Sequence, residues 1–282
     1  MGKRRGTLSA EQISNAGRAW FEALTGQKGI VEGGIGSILK ADAELGGETA
    51  HFLAVVPDPN SRFPRARKGE MGLEQGWTLA RYVRAIIATD KVGDKRPIVA
   101  IVDIPSQAYG LSEELLGIHL ACAAAVDAYA TARMAGHPVI ALLVGKAMSG
   151  AFLAHGYQAN RILALDDQSV MVHAMGKAAA ARITRRSVEE LDELGNKVLP
   201  MSYDIRNYAR LGLLHKVIKG VSATSLDADS IQNVRGELKA AVDDTRAGKR
   251  DLSVRMESEA AKTVRHASIE VRKLLIEQWP NA

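Results

Sequence analysis

The chain has 282 residues, 46% of them hydrophobic but only 5% aromatic, so a globular core must be built mainly from Ala, Val, Ile and Leu. Its formal charge is +5, but Lys and Arg are scattered without interleaved aromatic residues, which argues against nucleic acid binding. The single cysteine, Cys122, excludes an internal disulfide and a Cys-built zinc site; it falls in an Ala-rich helical run and reads as a buried, inert thiol.

The N-terminus is charged without an apolar segment, and no stretch reaches ~18 apolar residues, so a cytoplasmic protein is expected. Ser9-Ala-Glu-Gln12 has the form of a capping box and predicts a helix to about Leu24, with Trp20, Phe21 and Leu24 on one face. Gly33-Gly34 is a turn. Ser37 to Glu44 and Thr49 to Val56 read as a strand pair, broken at Pro57-Asp-Pro-Asn60. From Glu74 to Thr89 the apolar period becomes helical, through Leu79, Tyr82, Val83, Ile86 and Ile87.

Pro97 to Ile104 is a continuous apolar run of the buried parallel kind. A loop, Pro105 to Gly110, leads into one long predicted helix from Ser112 to about Ala135. Val139 to Val144 is the next buried strand, expected to break at Gly145 and restart as a helix rich in small residues. Arg161–Leu165 and Ser169–His173 read as short strands. Beyond Thr184 the pattern is helical: Val188–Leu194, Tyr203–Arg210, Ala228–Ala247 and Ser253–Gln278. The division expected is one α/β domain over 1–282, with helical extensions at 1–25 and about 225–282 and right-handed crossovers in the middle.

The turn Gly145-Lys-Ala-Met-Ser-Gly-Ala151 carries little side chain and admits three readings. Small residues let a helix pack close to a sheet with no chemistry involved. Ser149 between Ala147 and Ala151 is a near miss to a nucleophile elbow, for which Asp166 or Asp167 and His215 stand in the right chain order. Backbone N–H groups at a strand-to-helix turn can also form an oxyanion hole, which needs small residues more than specific ones.

Two further loops favour the third reading. Asp103-Ile-Pro-Ser-Gln-Ala-Tyr-Gly110, Pro138-Val-Ile through Gly145 to Ala154, and Val172-His-Ala-Met-Gly176 follow successive strands. Together they resemble the carboxyltransferase branch of the crotonase superfamily over roughly residues 50 to 220. That branch carries an acidic residue and paired glycines in the turn, where this chain has Lys146, Ala147 and Met148. Met148 is a poor fit to a biotin cradle. With Gly195-Asn-Lys-Val-Leu-Pro200, the chain is more similar to the gamma subunits of biotin-independent malonate decarboxylases.

The resemblance implies a crotonase-like ββα spiral with a helical C-terminal portion. It implies a crotonase-like beta subunit as partner, and an acyl carrier subunit whose phosphoribosyl-dephospho-CoA arm bears a malonyl thioester. The reaction implied is decarboxylation to the acetyl thioester and CO2, an alpha subunit then exchanging acetyl for malonyl; no metal or biotin is implied on this chain. The backbone of Gly145, Ala147 and Met148 is expected to form the oxyanion hole or the carboxylate pocket, with Ser149 capping the helix and His173, Tyr109 or water as proton donor. Ser106, Gln107, Tyr109, Lys146, Gly150 and Gly176 are the expected substrate contacts, and Arg62, Arg65, Arg67 and Lys68 are candidates for the arm's phosphates. His155 is expected to be a packed histidine. Two other enzymes compete: a biotin-dependent carboxyltransferase alpha-type subunit and, more remotely, a serine hydrolase.

Overall fold

The apolar runs become a seven-stranded sheet of order β1-β2-β3-β4-β5-β7, with β6 paired to β4, in a computed structural model that describes residues 13–90, 93 and 95–279. Its strands are β1 (Ile38–Leu45), β2 (Glu48–Val55), β3 (Ile98–Ile104), β4 (Val139–Met148), β5 (Arg161–Leu165), β6 (Met171–His173) and β7 (Lys216–Ile218). β1 and β2 form an antiparallel hairpin, and the other pairings between these strands are parallel. β3 is buried at every residue, as its continuous Ile-Val-Ala-Ile-Val run requires of a strand covered on both faces. β7 was not foreseen: three residues are too few to set a period.

Helices cover the sheet. In α1 (Ala16–Thr25), the buried Trp20, Phe21 and Leu24 supply the bulk that the aliphatic strands lack, and Trp20 Nε1 donates to the Ala223 carbonyl at 3.1 Å. The predicted capping box at Ser9–Gln12 lies outside the described residues. α2 (Leu73–Thr89) packs on α4 (Ile118–Met134). The approach is close because α4 turns Ala121, Ala124, Ala125, Ala128 and Ala132 inward, and because α2 has Gly76, where a Cβ would come within 2.6 Å of the Ala121 carbonyl oxygen. α9 (Ala228–Ala247) has the predicted bounds and buries Val234, Leu238, Ala241 and Val242 at helical spacing.

Several boundaries differ from expectation. The single helix expected over 112–135 is α3 (Leu111–Leu115) and α4, parted at Gly117, whose φ of +82° ends one helix and starts the next. The C-terminal helix is three: α10 (Val254–Glu257), α11 (Glu259–Val264) and α12 (His266–Gln278). Ser258 divides the first two by capping α11, its Oγ accepting from the Ala261 N–H at 3.2 Å. Between β4 and β7 lie α5 (Ser149–Ala154), α6 (Lys177–Thr184), α7 (Val188–Lys197) and α8 (Ile205–Arg210). α7 opens on a capping box of Ser187 and Glu190. No helix among the described residues is long and apolar enough to cross a membrane.

Candidate active site

β4 does not break at Gly145. It bulges there and runs on to Met148. Val102 pairs with Leu143 and Ile104 with Ala147, so three residues of β4 lie opposite Asp103 alone. The buried Asp103 carboxylate fills the bulge. Its Oδ1 accepts the Lys146 N–H at 3.1 Å, and its Oδ2 accepts from Ser14 Oγ at 2.5 Å and from the Gly17 N–H at 3.1 Å. Gly145 is required by this contact, since a Cβ there would lie 2.0 Å from Asp103 Oδ1. One carboxylate thus joins the N-terminal segment, β3 and β4.

Beyond the bulge, Ala147 and Met148 are buried and in register with Val172 and His173 of β6, and Ala147 also pairs with Ile104. Their backbone is part of the ladder. The strand-to-helix turn falls at Ser149, one residue later, and the amides of a first helical turn that lack an intrahelical acceptor begin there. Ser149 has φ +56°, a left-handed conformation that a residue with a Cβ adopts at a cost of ~1 kcal/mol. The role expected for its hydroxyl, accepting a cap bond from its own helix, is not seen; Ser149 Oγ instead accepts the Gln107 N–H at 2.9 Å.

That bond ties the turn to the loop after β3. The loop is held on its other side by Met71, whose N–H donates to the Ser106 carbonyl at 3.0 Å and whose carbonyl accepts the Ala108 N–H at 2.8 Å. The Gln107 side chain lies over Gly150, where a Cβ would be 2.2 Å from its Oε1. Ser106, Gln107, Ser149 and Gly150 therefore form one surface. Tyr109 stands beside it, half exposed, with the Arg65 guanidinium 4.3 Å from its ring centroid. Arg65 also pairs with Glu70 at 3.0 Å, Arg62 with Glu74 at 2.7 Å, and Arg67 Nε donates to the Ser61 carbonyl at 2.8 Å. These three guanidinium groups hold their own loop, and nothing in their geometry marks a phosphate cradle.

His173 lies next to Met148 across the ladder, half-buried, its ring stacked at 4.0 Å on Tyr203. His173 Nδ1 lies 3.1 Å from the Met175 carbonyl and 3.2 Å from the Met175 N–H, and Tyr203 Oη donates to the Met175 carbonyl at 2.6 Å. Burial lowers the His173 pKa, which favours the neutral ring. Nothing in the sequence marked Tyr203 as the partner of His173. Gly176 precedes α6, exposed, with no atom within 4 Å of a Cβ built there.

The hydrolase triad is not assembled. Asp166 pairs with Arg206 at 2.7 Å, Asp167 accepts the Ala223 N–H at 2.9 Å, and His215 lies 3.8 Å from Asp244. His155 is fully buried and structural: its Nε2 donates to the Ile101 carbonyl at 3.0 Å, and its Nδ1 accepts from Tyr129 Oη at 2.9 Å. Cys122 is half-buried, and burial raises its pKa, as an inert thiol requires.

Comparison with known proteins identifies the family. The family model described as malonate decarboxylase gamma subunit matches residues 66–279. The chain belongs to the malonate decarboxylase gamma-subunit family. It is 55% identical to a chain of a Pseudomonas malonate decarboxylase hetero-tetramer in complex with coenzyme A, with a TM-score of 0.89, covering 94% of this chain and 100% of that one. Similarity to the Pseudomonas MdcD-MdcE hetero-dimer is equal in identity and coverage, with a TM-score of 0.87. A malonyl-S-ACP:biotin-protein carboxyltransferase of Malonomonas rubra is 34% identical over 257 residues, which span 84% of this chain and 87% of the relative. A transcarboxylase 12S chain, 20% identical with a TM-score of 0.56 over 76% of this chain and 36% of its own, shares the crotonase-type carboxyltransferase fold. The crotonase-like fold expected from the three loops is therefore that of the family.

Proposed function

We propose that this gamma subunit, paired with a crotonase-like beta subunit, decarboxylates a malonyl thioester on an acyl carrier subunit to the acetyl thioester and CO2, without biotin. The observation that carries the reading is the joined surface of the Gln107 loop and the Ser149 turn, which needs no nucleophile or metal for this chemistry. In the reaction the bond to the departing carboxylate breaks, and its electron pair passes to the thioester oxygen as an enolate. That oxygen needs hydrogen-bond donors. The amides of Ser149 and Gly150 and the Ser149 O–H are this chain's donors, with the rigid backbone of Gly145, Ala147 and Met148 as the pocket wall. Lys146 attracts the malonyl carboxylate, and Ser106, Gln107, Tyr109, Gly150 and Gly176 contact substrate. The enolate carbon then takes a proton, from His173, Tyr109 or water.

A partner is supported by the rim. Tyr109, Leu111, Leu115, Leu116 and Leu120 are all more than half exposed around α3, beside Gln107. We assign this rim to the beta subunit, so that the two subunits enclose the thioester, whose CoA-like arm enters on the carrier. An alpha subunit that reloads malonyl completes the cycle, in a cytoplasmic complex.

The second reading, carboxyl transfer to a biotin protein, is favoured by the Malonomonas relative. Met148 and the higher identity to the Pseudomonas decarboxylase chains stand against it. CO2 release from malonyl-carrier by the reconstituted complex, in the presence of avidin, separates the two. Undiminished release is expected; dependence on a biotinylated protein would transfer the assignment to carboxyl transfer.

A further inference from the structure

Tyr203 is buried, and its ring lies on the His173 ring with centroids 4.0 Å apart and planes 14° apart. Two anchors fix where it stands. On its N-terminal side the tight turn Leu199–Met201 folds back on α7. Gly195 of α7 makes the room: a Cβ there would lie 3.1 Å from Ser202 Cα and 3.3 Å from the Met201 carbonyl oxygen. Pro200, with its fixed φ, suits the first positions of that turn. On the C-terminal side, Asp204 pairs with Met171, the first residue of β6, in an antiparallel bridge. Its carboxylate accepts the Arg206 N–H at 2.7 Å and starts α8. The Gly195 to Pro200 segment, part of the family likeness, thus builds the platform that carries Tyr203.

The platform also closes the chain after His173. Tyr203 Oη donates to the Met175 carbonyl at 2.6 Å, and the same carbonyl and the Met175 N–H lie 3.1 and 3.2 Å from His173 Nδ1. Burial and the nearby Asp192 raise the Tyr203 pKa, so the phenol stays protonated and keeps its bond. Lys177 Nζ sits 5.4 Å from the Tyr203 ring centroid and pairs with Asp192 at 2.6 Å, which links the ring to α6 and α7. In either tautomer the Nδ1 edge of His173 is therefore taken up by Met175, and no described residue hydrogen-bonds Nε2. The stack fixes the plane of the imidazole, and the Met175 contact fixes which edge is left for other partners. His173 itself is paired with Met148, immediately before Ser149. A proton donor acts only within hydrogen-bond reach of the atom it serves, so an imidazole free to turn would seldom be in place.

We propose that Tyr203 is a positioning residue for His173, holding the imidazole so that its Nε2 edge serves the reacting carbon beside the Ser149 turn, a role that rests on His173 being the proton donor of the decarboxylation. Tyr203 acts through the imidazole and not on the substrate.

The test is a kinetic cycle on the reconstituted complex, with CO2 release from malonyl-carrier followed at saturation and below KM. Tyr203→Leu is expected to lower kcat about ten- to a hundredfold, the scale of a misplaced catalytic group, with KM within about twofold of its original value. Tyr203→Phe keeps the stacked ring and should stay within about threefold in kcat. His173→Asn alone should lower kcat about a hundredfold, and in that background Tyr203→Leu should cost less than about threefold more, because the ring it holds is gone. Far-ultraviolet circular dichroism and copurification of the beta subunit check each variant. Should Tyr203→Leu fail to fold, Gly195→Ala, which presses on Ser202 from α7, takes its place in the cycle, with kcat falling in the same sense. A kcat untouched by Tyr203→Leu, an equal loss with Tyr203→Phe, or a loss undiminished in the His173→Asn background overturns the positioning role and leaves His173 as donor. Full kcat in His173→Asn alone overturns the donor reading, and the positioning role with it.

Discussion

Ser149 and Gln107 are 42 residues apart in sequence, and a single hydrogen bond of 2.9 Å from the Gln107 N–H to Ser149 Oγ joins the loops of two strands into one surface. Ser149 holds a left-handed backbone conformation to do so. The gain from the bond and the cost of the conformation are both on the order of 1 kcal/mol.

Ser149→Ala therefore keeps the strained backbone and leaves the Gln107 amide unpaired. A loss of about 1–2 kcal/mol in stability is expected, measured by chemical denaturation. Turnover should fall about a hundred- to a thousandfold, the cost of one enolate donor, without being abolished. Ser149→Gly relieves the strain and should be the more stable of the two. Abolition of turnover by Ser149→Ala would restore the nucleophile reading.

Gly145→Ala forces a Cβ against Asp103 Oδ1 and should cost about 1–3 kcal/mol. Asp103→Ala alone leaves the Lys146 and Gly17 amides without their acceptor. Because the two residues share one contact, the double variant should be more stable than the sum of the single losses predicts, by ~1 kcal/mol or more. Strict additivity in denaturant midpoints would show that the bulge is not held by this contact.

His155 titrates at about 4, below its ordinary 6.5, because burial disfavours the imidazolium. A depressed histidine pKa means that the unfolded chain binds the proton more tightly. Its contribution is thus complete above pH 6.5 and is lost as the pH falls from 6.5 towards 4. The span corresponds to roughly 3 kcal/mol at most. Thermal melts between pH 8 and 4 should decline over that window. His155→Gln, less stable at pH 8, should decline less steeply; a parallel decline would assign the loss to other groups.

Leu115→Glu with Leu116→Glu changes two side chains that are 77% and 65% exposed. The isolated chain should keep its stability within about 0.5 kcal/mol. Copurification with the beta subunit should be lost, as two charges are buried without partners. A complex that still forms would move the interface elsewhere. One alternative is α12, which buries none of its residues and exposes Val271, Leu275 and Ile276.

The sequence by itself determined the strands β1 to β6, the amphipathic helices α2 and α9, and the three loops that carry the family likeness, because periodicity and turn residues act locally. It did not determine where β4 ends. Gly145 reads as a breaker until Asp103, from another strand, is placed in the bulge it leaves open. Nor did it show that Ser149 would hold the Gln107 loop, that Tyr203 would stack on His173, or that the Asp166, Asp167 and His215 of a triad would each find other partners. These outcomes depend on which strands become neighbours. Parallel pairing brings together residues 42 and 43 positions apart, and no local pattern records that choice.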